Sequence, residues 1–257
     1  MNRNLPGRTA IVLGGSNGAG KACAELFHRA GANLVIGDID EKRGRATAEE
    51  LGKGVALFPC DVRNIDQIWA LVEHSETTFG PPQAAVYATG VIKPADFLDL
   101  TPDDYDLVVD VNLRGAVFFF QSVARTLVAR GLPGSLVSIS SIGGYVATER
   151  THAYGASKAG LVHLAKSLAV SFAAHGIRAN SVAPGGIDTA MQAMLPPRDR
   201  RASLARTPML RLARPDEIAK VALFLASDAS SYVTGHKIVA DGGRLAQHRT
   251  VEVPDDT

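Results

Sequence analysis

Short apolar runs alternate with amphipathic stretches along nearly the whole chain. The runs at 9–13, 33–37, 55–58, 84–88, 135–139, 178–182 and 237–240 have the length of strands. Such strongly apolar strands fit a sheet covered on both faces. Between them, helical patterns span 18–30, 41–51, 65–79, 102–129, 153–175 and 215–225. The repeated βα units continue without a linker. They predict a single α/β domain over residues 1–257, a doubly wound parallel sheet of about seven strands with helices on both faces. Crossovers in such a sheet are right-handed. Ligands bind beyond the carboxyl ends of the strands, near the point where strand order reverses.

The candidate chemistry falls at those ends. After the first run come Gly14, Gly18 and Gly20 in GxxxGxG spacing, and then the first helix. Glycines let the backbone turn tightly and approach a pyrophosphate closely. The helix N-terminus adds free N–H groups and the positive end of its dipole. The second strand ends at Asp38, where a carboxylate can accept hydrogen bonds from an adenosine ribose. Farther on, a strand runs into Ser140-Ser141, and Tyr154-Gly155-Ala156-Ser157-Lys158 follows. Residues i and i+4 share a helix face, so an ammonium at Lys158 is expected to favour the ionised phenol of Tyr154. That would lower a group that normally ionises near pH ~10 toward the range useful for acid–base work.

These elements together resemble the short-chain dehydrogenase/reductase superfamily, over about residues 5–243. The motifs occur in family order: Gly14-x-x-x-Gly18-x-Gly20, Asp38, Asp61-Val62, Asn112, Ser141, Tyr154-x-x-x-Lys158, Pro184-Gly185 and Asp241-Gly242-Gly243. The resemblance implies a Rossmann fold and hydride transfer between a nicotinamide and a carbonyl or secondary alcohol. It makes Tyr154 the general acid or base and gives Lys158 the nicotinamide ribose. It sets Ser141 on the substrate oxygen and has Asn112 hold a water in a proton relay through Lys158. The cofactor surface it implies is Gly14, Ser16, Asn17, Gly18, Ala19, Gly20, Asp38, Ile39, Asp61, Val62, Ala88, Gly90, Tyr154, Lys158, Pro184, Gly185, Ile187 and Thr189. Asp61 and Val62 would flank the adenine; Ile187 and Thr189 would meet the nicotinamide amide and phosphate. A homotetramer is also implied, with the 102–129 and 153–175 helices pairing between subunits.

Asp38 points to NAD. Its charge suits two free ribose hydroxyls and would repel a 2′-phosphate. Residues 15–17 are Gly, Ser and Asn, and residue 39 is Ile, so none supplies the cation an NADP site wants. Lys42 and Arg43 are expected to face solvent.

Two departures stand out. Leu13 occupies the family's threonine position, and Tyr87-Ala88-Thr89-Gly90 replaces Asn-Asn-Ala-Gly. Polar groups that tie neighbouring strands are lost on both sides, and such a paired loss can be nearly neutral. Ala88 can still meet the cofactor through its backbone.

Composition narrows the partners. With 27 basic and 26 acidic residues, net charge is +1, which gives no reason to expect nucleic acid. No uninterrupted membrane-length apolar stretch is apparent, so no membrane partner is expected. The N-terminus lacks an apolar signal core, and a cytoplasmic location is the default. Cys23 and Cys60 read as small buried hydrophobes. The seven histidines show no metal-ligand spacing, and no metal is expected. His152, close to Tyr154, is either a loop residue near the substrate mouth or a proton relay.

Residues 186–214 form a long stretch without a strand, suited to a lid over substrate. Met191, Met194, Leu195 and the loop Gly143-Gly144-Tyr145-Val146 suggest an apolar substrate. Arg198, Arg200, Arg201, Arg206, Arg211 and Arg214 read as a solvated helix face or as an anion patch. The tail, 244–257, is polar and expected to fray or lie on a neighbouring subunit. The leading expectation is an NAD-dependent dehydrogenase acting on a secondary alcohol or ketone. The alternatives are a 3-oxoacyl-carrier-protein reductase and a non-catalytic nucleotide sensor on the same fold.

Overall fold

The computed structural model describes residues 5–189 and 197–247, the side chains of 197–200 excepted. Met191, Met194, Leu195, the Arg198 and Arg200 side chains and tail residues 248–257 lie outside the described residues.

Seven parallel strands form one sheet in the order β3-β2-β1-β4-β5-β6-β7. They are β1 Thr9–Leu13, β2 Asn33–Asp38, β3 Val55–Pro59, β4 Pro82–Tyr87, β5 Gly134–Ile139, β6 Ile177–Pro184 and β7 Lys237–Ala240. The chain winds outward from β1 to β3, then returns to β4 on the other side of β1. Leu13 is thereby paired with Gly37 on one flank and Tyr87 on the other. The carboxyl ends of β1 and β4 therefore open at the reversal point, where a ligand cleft belongs.

Alternate residues of each strand feed two cores. Ala10, Val12, Leu34, Ile36 and Val86 pack with Phe27, Ile218 and Leu225. Phe27 comes from α1 Gly18–Arg29, and Ile218 and Leu225 from α8 Pro215–Ala226. Ile11, Leu13, Val35 and Tyr87 pack the opposite way, against Ile68, Phe119, Leu127 and Leu161. These belong to α3 Ile65–Thr78, α5 Gly115–Ala129 and α6 His152–Phe172. Helix starts follow local chemistry. Asn17 caps α1, Asp40 caps α2 Glu41–Leu51, and Asn64 caps α3, each by accepting a backbone N–H.

Two expectations change. The pattern over 102–129 is not one α-helix: α4 Pro102–Val109 meets α5 through a π turn, Asp110–Arg114. A π turn adds a residue without a glycine or proline signal, so the apolar pattern runs through it. That same 28-residue stretch holds an 18-residue window with mean hydropathy 1.4, long and apolar enough to cross a membrane by length and composition. Half of its most apolar window is buried inside the fold, where Phe119, Phe120 and Leu127 cover the sheet. Among its described residues, 186–214 contains a helix, α7 Pro197–Ala205, and an isolated bridge between Ile187 and Ala213, with no strand.

Candidate active site

The first βα turn is shaped by what a side chain would strike. Gly14 has φ +85°, and a Cβ there would lie 2.7 Å from Thr89 Oγ1. A Cβ on Gly20 would lie 1.9 Å from the Gly14 carbonyl oxygen, so the loop folds onto its own helix only without one. Asn17 Oδ1 accepts the Gly18 N–H at 2.8 Å, and Gly18, Ala19 and Gly20 of the first α1 turn line the cleft. At the end of β2, Asp38 is fixed by two backbone donors. Ser16 N–H reaches Oδ2 and Asp40 N–H reaches Oδ1, each at 3.0 Å.

The other end of the cleft is built from β5 and α6. Ser141 lies two residues beyond the strand and accepts the Gly143 N–H at 3.0 Å, which leaves its own proton to donate. The turn that follows lies directly on α6. A Cβ at Gly144 would meet Ala159 N at 2.8 Å. This close approach brings Ser141 beside Tyr154: a Cβ on Gly143 would lie 3.3 Å from Ser141 Oγ and 3.4 Å from the Tyr154 ring. Lys158 is buried on the same helix and donates to the Ile139 carbonyl at 3.0 Å. Its Nζ lies 5.7 Å from the Tyr154 ring centroid.

The titration picture differs from the expectation of a cation-lowered phenol. Burial raises Tyr154 above its ordinary value, and the bond from Ser141 offsets this only in part. Burial also drives Lys158 down, to about 8. The physical reason is desolvation. Lys158 shares the buried side of α6 with Tyr154, and its ammonium is turned toward Ile139 O, so both groups lose hydration of their charged forms.

Every cofactor-surface residue named from the sequence lines one cleft of about 610 Å³, together with Ser141. Asn112 alone of the expected set lies behind it, fully buried. Its amide is occupied: Oδ1 accepts Val91 N–H at 2.8 Å, and Nδ2 donates to Val91 O and to Ser157 Oγ, both at 3.0 Å. Ser157 Oγ in turn donates to the Tyr154 carbonyl at 2.7 Å.

Sequence reasoning missed several lining residues. Arg43 borders the cleft rather than only solvent, and pairs with Asp40 at 3.3 Å. Arg63 also borders it and clamps Asp61 at 2.6–3.1 Å, which holds that carboxyl below its usual range. No short-range pattern announces such pairs. Tyr145 and Val146 do not line the cleft; the Tyr145 ring lies 3.3 Å beneath Lys237 Nζ. His152 begins α6 and meets Phe97 edge-on at 5.0 Å. Arg211 is bound to Glu217 at 2.7 Å, and Arg214 to Asp216 at 3.0 Å, so neither presents a bare charge. Both cysteine thiols are pushed up to about 12 by burial. Among the described residues no His, Cys, Asp and Glu cluster suits a metal.

Comparison with known proteins agrees with this architecture. The family model described as "Enoyl-(Acyl carrier protein) reductase" matches residues 14–244. A 3-oxoacyl-[acyl-carrier-protein] reductase of Thermotoga maritima is 37% identical over 93% of this chain and 98% of its own length. A cis-4-hydroxycyclohexanecarboxylate dehydrogenase of Sinomonas cyclohexanicum is also 37% identical, over 96% of this chain and all of that protein. Among solved structures, gox2181 superposes with a TM-score of 0.92 at 35% identity, covering 96% of this chain and 98% of its own. A short-chain type dehydrogenase/reductase from Mycobacterium marinum gives a TM-score of 0.88 at 31% identity, covering 96% and 98%. The chain is an oxidoreductase and belongs to the short-chain dehydrogenase/reductase family.

Proposed function

We propose that this oxidoreductase transfers hydride between NAD(H) and a secondary alcohol or ketone. The observation that carries the reading is the cleft itself: an Asp38 carboxylate at one end, the Tyr154–Ser141–Lys158 group at the other. Its floor suits a dinucleotide, because Gly14 and Gly20 leave open the volume a Cβ would fill. Gly14, Gly18, Ala19 and Gly20 would hold the pyrophosphate, and Asp38 the adenosine ribose. Ala88, Gly90, Pro184, Gly185, Ile187 and Thr189 would border the nicotinamide half. The cofactor, when bound, accepts or donates the hydride.

The protein's own part is to handle the substrate oxygen. Tyr154 Oη takes the hydroxyl proton during oxidation and returns it during reduction. Ser141 would turn its hydroxyl proton from Tyr154 to the same oxygen, so negative charge developing there meets a fixed dipole. Lys158, with a pKa of about 8, supplies a buried group that exchanges protons near neutrality. Burial keeps water away from the reacting atoms and strengthens these interactions.

NAD is favoured over NADP because both Asp38 oxygens are fixed at the lip, beside exposed Ile39. The reading includes a cytoplasmic homotetramer, with the 102–129 and 153–175 helices pairing between subunits. Exposed Tyr105 and Val170 on those helices suit such burial. The alternative, a carrier-linked ketoreductase, draws on the named activity of the Thermotoga relative. The paired state of Arg211 and Arg214 weighs against an anionic carrier there.

Calorimetric titration with NAD⁺ and NADP⁺, on wild type and Asp38→Ala, tests the reading. Tighter NAD⁺ binding that weakens on substitution is the expected result. A preference for NADP⁺ would move the carrier-linked reductase to first place.

A further inference from the structure

Tyr87 ends β4 and is fully buried. Its ring packs against Phe119 and Phe120, with centroids 6.1 and 6.2 Å away. Phenylalanine would serve that packing. A hydroxyl added in such a place costs free energy unless it is bonded. Burial holds its pKa well above the ordinary phenol value, so the group stays a donor. Its hydrogen goes to the Val111 carbonyl.

Val111 belongs to the π turn Asp110–Arg114, where the Gly115 N–H reaches back to Asp110 O. The turn is a departure from the α-helical ladder, and a tie from outside the helix fixes its register. Gly115 makes room for that tie. A Cβ there would lie 2.6 Å from Tyr87 Oη and 2.9 Å from Val62 O. The next residue after Val111 is Asn112, whose side chain grips Val91 on one side and Ser157 on the other. Ser157 donates to the Tyr154 carbonyl in the first turn of α6.

We propose that Tyr87 is a positioning residue. By donating to Val111 it fixes the π turn and so the Asn112 amide, which through Ser157 holds the turn bearing Tyr154. The inference deepens the hydride-transfer reading and rests on it for the role of Tyr154.

Tyr87→Phe removes one oxygen and keeps the ring. Two readouts test it. In hydrogen exchange resolved at single amides, Val91 N–H reports the Asn112 contact without any substrate. Exchange at Val91 and at 111–116 should quicken at least roughly fivefold, while β1 and α1 stay unchanged. In turnover of a panel of secondary alcohols with NAD⁺, kcat should fall roughly tenfold, the loss of one buried hydrogen bond. The KM for NAD⁺ should hold. In an Asn112→Ala background the same substitution should cost less than roughly twofold, because the two residues act as a unit. Unchanged exchange at Val91, or an equal kcat loss in both backgrounds, overturns the proposal. So does a variant that fails to fold, since the hydroxyl would then serve the whole core. A wild type that turns over no alcohol sinks the hydride-transfer reading instead, and the exchange measurement still decides the placement of Asn112.

Discussion

Replacing Lys158 with Met keeps the length of the side chain and removes its charge. The structure sets the size of the effect. Lys158 is buried and its pKa falls from 10.5 to about 8 on folding. The folded protein therefore binds this proton less well than the unfolded chain does. A depressed folded pKa means that stability rises with pH between about 8 and 10.5 and is lost as pH falls through 8. For these two values the contribution of Lys158 changes by about 2 kcal/mol between pH 7 and pH 9.5. The Met variant lacks that term, and its lost bond to Ile139 O enters as a pH-independent offset. Urea unfolding of both proteins over this pH range gives the difference directly. The stability difference between the two proteins should shift by about 2 kcal/mol in favour of wild type from pH 7 to pH 9.5. Parallel stability curves over the range would refute the argument that burial lowers the Lys158 pKa.

Other substitutions probe separate parts of the account. Gly20→Ala places a Cβ 1.9 Å from the Gly14 oxygen; it should cost about 3 kcal/mol or more in thermal unfolding, and an unchanged melting curve would count against the loop geometry. Asn64→Ala removes the cap on the Asp66 and Gln67 amides and should lower stability by about 1 kcal/mol in urea with activity unchanged. The pH–rate profile for alcohol oxidation should rise through about pH 8 in wild type, as Lys158 loses its proton and can accept one, and that rise should disappear in Lys158→Met; a rise that survives the substitution belongs to another group.

The sheet was legible because each strand is a separate apolar run and each helix has its own periodicity. Glu41–Leu51 appears with the bounds its pattern predicts, since Asp40 caps one end and Gly52 closes the other. The glycine turn and Asp38 were legible for a related reason: their chemistry depends on residue type at fixed local spacing. What stayed hidden is tertiary. The π turn leaves no mark in the apolar pattern, and the Tyr87–Val111 bond joins residues brought together only by the fold. The clamp of Arg63 on Asp61 joins residues two apart, and it depends on side-chain geometry that residue spacing does not carry. The expectation for Tyr154 failed because sequence spacing gives a neighbour's charge but not its solvation. Here burial of both groups outweighs their proximity.

The central claim is that Tyr154 moves the proton while the cleft binds NAD. Its most direct test compares wild type and Tyr154→Phe for NADH formation with a panel of secondary alcohols, alongside NAD⁺ titration of both proteins. The account predicts turnover by wild type, a loss of roughly a thousandfold in the variant, and nearly equal NAD⁺ affinity. Turnover that survives the loss of the phenol would contradict it.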